Sequence, residues 1–158
     1  MASRSLTLRS ATLEDGAHVL PWRNHPETRK YFRDPHPIPA NAHTNWWSAA
    51  VEDPKRHLFI AEVGKLGVGV VRLDDDDDSH SSTVSIYLDP DLTGLGLGKL
   101  MLSAVQQWSL LRQEGRSLRA DIHSQNTASQ GIFRAARFQQ QRDGWWWLPE
   151  SSLKAHTS

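Results

Sequence analysis

The stretch that decides the fold is Asp89–Met101, which reads DPDLTGLGLGKLM. An apolar, strand-like run, Val84–Leu88, leads into it, and a pattern with helical spacing follows it. Three glycines at alternate positions, Gly94, Gly96 and Gly98, allow a sharp turn and leave room for a ligand beside the backbone N–H groups. The first turn of a helix carries unpaired N–H donors and the positive end of the helix dipole. The stretch therefore predicts a phosphate cradle between a strand and a helix.

Length and composition narrow the class of protein. The chain has 158 residues, of which 38% are hydrophobic and 23% charged, and we expect one domain over residues 1–158. A formal net charge of zero argues against nucleic-acid and anionic-membrane partners. The chain contains no cysteine, which excludes disulfides, thiolate nucleophiles and cysteine-ligated zinc. No apolar run approaches the roughly 18 residues of a membrane span, and the first ten residues lack a signal-peptide core, so we expect a cytoplasmic protein.

The first half of the chain predicts one strand, two helices with a stiff loop between them, and a two-stranded hairpin. Thr12 and Asp15 have capping-box spacing, so a helix should follow and be interrupted or kinked near Pro21. Five of the eight prolines lie between positions 21 and 39, and the segment Asp34–Pro39 should be a stiff loop. The other predicted elements are a strand over Leu6–Arg9, a helix over His43–Val51, and hairpin strands over Leu58–Val63 and Gly67–Leu73.

Asp74–Asp78 is a run of five aspartates. Such a block repels itself and is expected to form a solvated loop between two strands. It lacks the interspersed ligands and the glycine of a calcium-binding loop, so we assign no metal site to it.

The second half predicts a long helix, a strand, a short helix and a closing hairpin. The long helix should bury the face formed by Leu100, Met101, Ala104, Val105, Trp108 and Leu111 and end near Gly115. A strand is expected over Leu118–Ile122, a helix over Asn126–Ala136, and hairpin strands over Phe138–Gln141 and Trp145–Leu148 around Asp143-Gly144. Of the three tryptophans Trp145–Trp147, two should enter the core. These elements predict an α/β (α+β) fold with a largely antiparallel sheet.

Two familiar phosphate motifs fail on spacing. In a dinucleotide-binding motif the third glycine would come one residue after Gly98, and the turn would lie near the first strand. A nucleoside-triphosphate loop needs glycine at Thr93 and a hydroxyl residue at Leu100.

The glycine stretch resembles the acetyl-coenzyme A loop of the GNAT N-acetyltransferase superfamily, which reads Arg/Gln-x-x-Gly-x-Gly/Ala. Gly96 and Gly98 match its glycines, whereas Thr93 stands at the Arg/Gln position. Downstream, the segment Asn126–Phe138 resembles the family's Asn-x-x-Ala-x-x-Leu-Tyr-x-x-x-Gly-Phe pattern, with Arg137 in place of its glycine. The resemblance implies a GNAT fold, with a mixed, mostly antiparallel sheet of six to seven strands flanked by about four helices, and acetyl-CoA as cosubstrate.

Two segments resemble a narrower group, the amino-sugar nucleotide acetyltransferases of pseudaminic-acid biosynthesis. These are Trp22–Pro26, which reads WRNHP, and Ile86–Gly94, which reads IYLDPDLTG. The resemblance implies transfer of acetyl to the 4-amino group of a UDP-linked dideoxy sugar, in a monomer or homodimer. A protein N-terminus, a polyamine or an antibiotic is the alternative acceptor. A non-catalytic acyl-CoA-binding module is the third interpretation, because Thr83 and Phe133 replace the family's usual base and acid.

The resemblance also implies site residues. The cofactor would contact a backbone N–H near the end of the fourth strand, the glycine loop and the following helix: Leu88, Thr93, Gly94, Leu95, Gly96, Leu97, Gly98, Lys99, Asn126 and Phe133. The candidates for proton transfer are His123, whose ordinary pKa of about 6.5 suits a base, and Tyr87. Each could instead be structural, as a strand-end residue bound to backbone or as a residue packed on the sheet. The acceptor side would use Trp22, Arg23, Asn24, His25 and Trp46, although the tryptophans are also core candidates.

Overall fold

A computed structural model describes residues 5–155, which form a sheet of seven strands and six helices. The strands are β1 (Leu6–Ser10), β2 (Arg56–Val63), β3 (Leu66–Asp76), β4 (Ser81–Leu88), β5 (Ser117–Ala120), β6 (Gln139–Gln140) and β7 (Trp146–Leu148). The helices are α1 (Asp15–Asn24), α2 (Pro26–Arg29), α3 (Ala40–Glu52), α4 (Leu97–Leu111), α5 (Thr127–Ala135) and α6 (Glu150–Ala155), with one 3₁₀ turn at Pro90–Leu92.

The sheet order is β1-β2-β3-β4-β5-β7-β6, and every neighbouring pair is antiparallel except β4 and β5. The predicted fold class is therefore confirmed, with the short helices α2 and α6 added to the four expected. Strand β5 ends at Ala120, two residues before the predicted end. None of the helices within residues 5–155 is both long enough and apolar enough to cross a bilayer.

Helix α1 continues through Pro21, so it is not interrupted there, and the predicted alternative of a kink stays a prediction. The Asp15 carboxylate accepts hydrogen bonds from both the N–H and the hydroxyl of Thr12, at 2.8 and 3.1 Å, which fixes the start of the helix. Inside the helix, a Cβ on Gly16 would lie 2.8 Å from the ring of Trp47 on α3. Close packing of α1 on α3 stabilises the helix and offsets the loss of the backbone hydrogen bond that Pro21 cannot donate.

The prediction that Asp74–Asp78 forms a solvated loop is wrong for its first three residues. Asp74, Asp75 and Asp76 belong to β3 and pair with β4. The Asp75 side chain is only 6% exposed. Its carboxylate accepts hydrogen bonds from Arg112 at 2.7 and 3.0 Å, from His57 at 2.9 Å and from Ser82 at 2.7 Å. Donors from three other segments compensate the charge, and this arrangement is invisible in the local sequence.

Helix α4 buries part of the predicted face, including Met101, Val105 and, in part, Trp108. Leu100 and Leu111 are 45% and 76% exposed, whereas Met101, Leu102 and Val105 are fully buried. The buried arc is rotated because α4 packs on the sheet and also against α5 and α6. The helix ends at Leu111, with Arg112 as its C-cap, so the predicted cap at Gly115 is wrong.

The tryptophans of the last hairpin divide between the two faces of the sheet. Trp146 is 1% exposed and enters the core, whereas Trp145 and Trp147 are half-buried on the opposite face. Their rings lie 4.0 and 4.9 Å from the guanidinium carbon of Arg119. The expectation that two of the three would enter the core is wrong, because side chains alternate along a strand.

Replacing Asp75 with Ala should lower the free energy of unfolding by about 3 kcal/mol, because Arg112 then keeps only the exposed carboxylate of Glu114. Burial alone would raise the pKa of Asp75, but the hydrogen bonds from Arg112, His57 and Ser82 outweigh it and hold the pKa well below its usual range. The stabilisation is therefore complete above about pH 4 and is lost as the pH falls towards the folded-state pKa.

Urea unfolding at pH 7 and at pH 3 measures both effects, and the difference between D75A and wild type should shrink at pH 3. The control is Asp78→Ala, because Asp78 is exposed beyond the end of β3. Equal unfolding midpoints for D75A and wild type at pH 7 would contradict the role of Asp75.

Candidate active site

The site is created where β4 and β5 separate. Their parallel ladder has three pairs, Ser81–Thr83 with Ser117–Arg119. Beyond these pairs β4 continues to Leu88, but β5 ends at Ala120. Backbone groups of β4 after Thr83 consequently leave the ladder with β5, and a gap opens at the carboxyl ends of the two strands. This is the end from which the 3₁₀ turn and α4 depart.

The glycine stretch forms the turn from β4 into α4. Gly94 and Gly96 both have a φ of +78°, which other residues adopt only with strain, and a Cβ on either would meet open space. Gly96 is the N-cap of α4 and has no side-chain cap. The N–H groups of Leu97, Gly98 and Lys99 therefore begin the helix without an intrahelical acceptor. Gly98 has another reason to be glycine, because its Cβ would lie 2.7 Å from Cδ1 of Ile132 on α5.

This cradle fits an anionic group such as a pyrophosphate. Its N–H groups start a helix of 15 residues, whose dipole favours negative charge at that end. Thr93, Leu95 and Lys99 are exposed around it. Two other residues predicted for the cofactor have structural contacts. Asn126 caps α5 by accepting the Ser129 N–H at 3.2 Å, and Phe133 is 3% exposed and packs edge-on against Phe138.

A cleft of about 780 Å³ lies on the sheet face opposite α4. Strand β4 lines it with alternate residues Thr83, Ser85 and Tyr87, and β3 with Val70 and Arg72. The other walls come from α1, the segment between α2 and α3 that contains the proline-rich loop (Asp34–Pro39), α3, β2, the segment after β5 and the residue before β7. These residues are Arg23, Tyr31, Phe32, Arg33, Asp34, Ile38, His43, Trp46, Trp47, Leu58, Asp121, His123 and Trp145. The lining holds three arginines and two aspartates, of which Arg33 and Asp121 pair with each other.

Arg23 and Arg72 have unsatisfied donors in this cleft. Nη1 of Arg23 and Nε of Arg72 are buried and have no hydrogen-bond partner. The Arg23 guanidinium stacks 3.8 Å above the ring of Phe32, and burial lowers its pKa. Arg72 has Asp74 Oδ2 at 3.0 Å from Nε, an ion-pair contact without hydrogen-bond geometry. Buried donors without acceptors are costly, which marks both side chains as candidates for binding a ligand.

The two predicted proton-transfer residues lie in the same cleft. Burial raises the pKa of Tyr87 well above its usual range, so its hydroxyl keeps its proton and can donate. Nδ1 of His123 accepts a hydrogen bond from the Gln125 N–H at 3.1 Å. The neutral ring therefore carries its proton on Nε2, and its lone pair is already engaged. The role of His123 as a base stays a prediction, and this geometry favours it as a donor.

The predicted acceptor residues separate into two groups. Arg23 and Trp46 line the cleft. Trp22 packs against the smaller hydrophobic cluster that contains Trp47. Asn24 exchanges two hydrogen bonds with Ile38 at 2.8 and 2.9 Å, and His25 caps α2 through Nδ1, which accepts the Glu27 N–H at 3.2 Å.

Sequence reasoning missed Arg72, His43 and Asp121. Alternation along the predicted strand places Arg72 on the same face as Val70, and that signal was available. His43 and Asp121 have no comparable signal, because their neighbours in the cleft are distant in sequence. Among residues 5–155 no group of three or more His, Asp or Glu side chains is arranged to hold a metal ion.

A family model described as an acetyltransferase (GNAT) domain matches residues 5–139. The chain belongs to the GNAT acetyltransferase family. The predicted superfamily and enzyme class are therefore confirmed, and the enzyme is an N-acetyltransferase of this family. No curated protein sequence matches the chain significantly.

Solved GNAT structures share the fold. Aminoglycoside acetyltransferase AAC(6')-Ib in complex with coenzyme A has a TM-score of 0.85 and 16% identity, over 98% of this chain and 100% of that one. Spermidine N-acetyltransferase from Vibrio cholerae, in complex with CoA and spermine, has a TM-score of 0.85 and 16% identity, over 95% of this chain and 98% of that one. RimL, a ribosomal L7/L12 α-N-protein acetyltransferase in complex with CoA, has a TM-score of 0.79 and 13% identity, over 96% of this chain and 98% of that one. Bound CoA in these structures agrees with the predicted acetyl-CoA cosubstrate. The amino-sugar resemblance stays a prediction.

Replacing Asn24 with Ala should lower the free energy of unfolding by about 1–2 kcal/mol, because two hydrogen bonds to the proline-rich loop are lost. The loop should also be cleaved faster by protease under native conditions. Asn41→Ala is the matched control, since Asn41 is exposed on α3. Unchanged stability and cleavage in N24A would show that Asn24 does not brace the loop.

Proposed function

We propose that this GNAT enzyme transfers acetyl from acetyl-CoA to the primary amine of a small acceptor that carries a negative charge, and that the acceptor is a UDP-linked amino sugar. Both substrates bind together, and the amine attacks directly. One observation carries the proposal: the cradle at the start of α4 lies beyond the end of β4, and the aromatic, arginine-containing cleft lies along the part of β4 that no longer pairs with β5.

On the cofactor side, the chain supplies backbone donors. The N–H groups of Leu97, Gly98 and Lys99 would bind the pyrophosphate. The gap between β4 and β5 would hold the pantetheine arm, with a backbone N–H near Leu88 as the donor to the thioester carbonyl. Acetyl-CoA, when bound, supplies an acetyl group activated as a thioester. Holding both substrates in one geometry contributes several kcal/mol to the barrier reduction.

On the acceptor side, charge favours an anionic ligand. Arg23 and Arg72 hold buried donors without hydrogen-bond acceptors, which a diphosphate could satisfy. Polycations such as spermidine and aminoglycosides would meet repulsion from these same groups. This contrast argues against the polyamine and antibiotic alternatives. Trp46, 37% exposed at the cleft, offers a ring on which a uracil could stack.

Two side chains in the cleft can donate protons or hydrogen bonds. Tyr87 remains protonated, and His123 carries its proton on Nε2 when neutral. Either can stabilise the sulfur that leaves as a thiolate, which at its ordinary pKa of about 8.5 needs little assistance. The substitution of Phe133 for the family's tyrosine is therefore compatible with turnover.

Replacing Gly96 with Ala should weaken CoA binding about tenfold. A residue with a Cβ is less stable at this positive φ by about 1–2 kcal/mol. The added Cβ would also occupy space beside the N–H groups that donate to the phosphate. Gly64→Ala is the matched control, since Gly64 has a φ of +62° and open space at the β2–β3 turn. Calorimetry with CoA measures both variants. Equal CoA affinity in G96A and G64A would contradict the cradle.

A panel of amines tests the acceptor. Thiol release from acetyl-CoA should be fastest with a UDP-linked 4-amino dideoxy sugar and slow with spermidine, kanamycin and an N-terminal peptide. Arg23→Gln should raise the KM for the UDP sugar about 10- to 100-fold, because hydrogen bonds to a charged group are lost. Arg142→Gln, an exposed arginine outside the cleft, is the control. Rapid acetylation of spermidine or kanamycin, with none of the UDP sugar, would overturn the assignment.

A further inference from the structure

We propose that His43 is the general base of the reaction and accepts the proton that the acceptor's ammonium group must lose before it can attack. This proposal rests on the proposed function, and it adds a catalytic residue that neither the sequence motifs nor the family match indicates. His43 lies in α3, lines the cleft, and is 4% exposed.

The hydrogen bonding of His43 fixes which ring nitrogen can accept a proton. Nε2 lies 3.0 Å from the carbonyl oxygen of Gly16. A carbonyl can only accept, so Nε2 must carry the hydrogen and donate it. The lone pair of the neutral ring is therefore on Nδ1. Among the described residues none donates a hydrogen bond to Nδ1.

The surroundings keep the ring neutral. Burial lowers the pKa of His43, and the positive charge of Arg23 on α1 lowers it further, against the opposing effect of the Gly16 carbonyl. Around it, β3 contributes Arg72, β4 contributes Tyr87, and the proline-rich loop contributes Asp34 to the same cleft. His43 is therefore in its basic form at neutral pH, where an amine with an ordinary pKa is mostly protonated.

Of the other titratable groups that line the cleft, His123, Asp34 and Asp121 accept hydrogen bonds, and Tyr87 keeps its proton. Tyr87 retains its proton, and the acceptor nitrogen of His123 is occupied. Asp34 accepts hydrogen bonds from the ring and the N–H of His36, at 2.7 and 3.1 Å. Asp121 accepts two hydrogen bonds from Arg33, at 2.7 and 3.0 Å. Among the described residues that line the cleft, His43 thus has a neutral nitrogen, Nδ1, whose lone pair accepts no hydrogen bond.

The proton balance is simple. An N–H bond of the ammonium breaks and an Nδ1–H bond forms, directly or through one water. The amine keeps the electron pair and becomes a neutral nucleophile, and His43 becomes an imidazolium. Its proton returns to solvent or to the departing thiolate. No oxidant, reductant or metal takes part.

His43→Gln separates a base from a structural residue, because a glutamine amide can still donate to the Gly16 carbonyl but cannot accept a proton at neutral pH. With acetyl-CoA and the UDP-linked 4-amino sugar, kcat/KM of H43Q at pH 7 should fall about 100-fold or more, within the range for loss of a general base. The deficit should narrow as the pH rises, because the amine then loses its proton to water. The acidic limb of the profile should shift upward in H43Q and stay in place in the control His18→Gln, because His18 is an exposed histidine of α1 that does not line the cleft.

Thermal unfolding checks that H43Q is folded. A wild-type rate and acidic limb in folded H43Q would overturn the proposal and leave His43 with a structural role. If H43Q does not fold, nitrogen NMR of the wild-type enzyme in complex with CoA gives an independent test. The neutral ring should carry its proton on Nε2, and the Nδ1 signal should shift when the amino sugar is added. An Nδ1 signal that does not respond overturns the proposal. Absence of any acetyl transfer by the wild type would instead contradict the proposed function.

Discussion

The separation of β4 from β5 after three residue pairs is the constraint on which the rest of the site depends. A parallel pair that continued to Leu88 would consume the backbone groups of β4 and close the gap. Because it stops at Thr83, the same strand faces the start of α4 at its end and the cleft along its side. The two substrates of a transfer reaction can then meet at a strand edge, without either one crossing the sheet.

The cleft keeps polar groups in arrangements that cost stability. Arg23 and Arg72 each have a buried donor without a hydrogen-bond acceptor, and beside them the partly buried Tyr87 keeps its proton. Such groups are expensive in a folded protein unless a ligand satisfies them. These cleft groups lie on the sheet face opposite the apolar core beneath α4, where Trp146 also has a buried donor, Nε1, without a partner.

The glycine stretch and the element order could be predicted because their causes are local. Positive φ at Gly94 and Gly96 and alternation along the strands are properties of neighbouring residues. The position of Asp75 inside β3 could not be predicted, because it depends on Arg112, His57 and Ser82, which only the fold brings together. His43 was missed for the same reason. A lone histidine in a helix gives no signal, and its tautomer is set by a carbonyl 27 residues earlier.

The buried carboxylate of Asp75 lies at the closed end of the gap, opposite the end that opens. It binds β3 to β2 through His57, to β4 through Ser82 and to the end of α4 through Arg112. These hydrogen bonds, at the end where β4 and β5 are still paired, hold three strands that line the cleft, β2, β3 and β4, against one another. A cleft held open in this way needs little ordering when its ligands arrive, so less of their binding free energy is lost as conformational entropy.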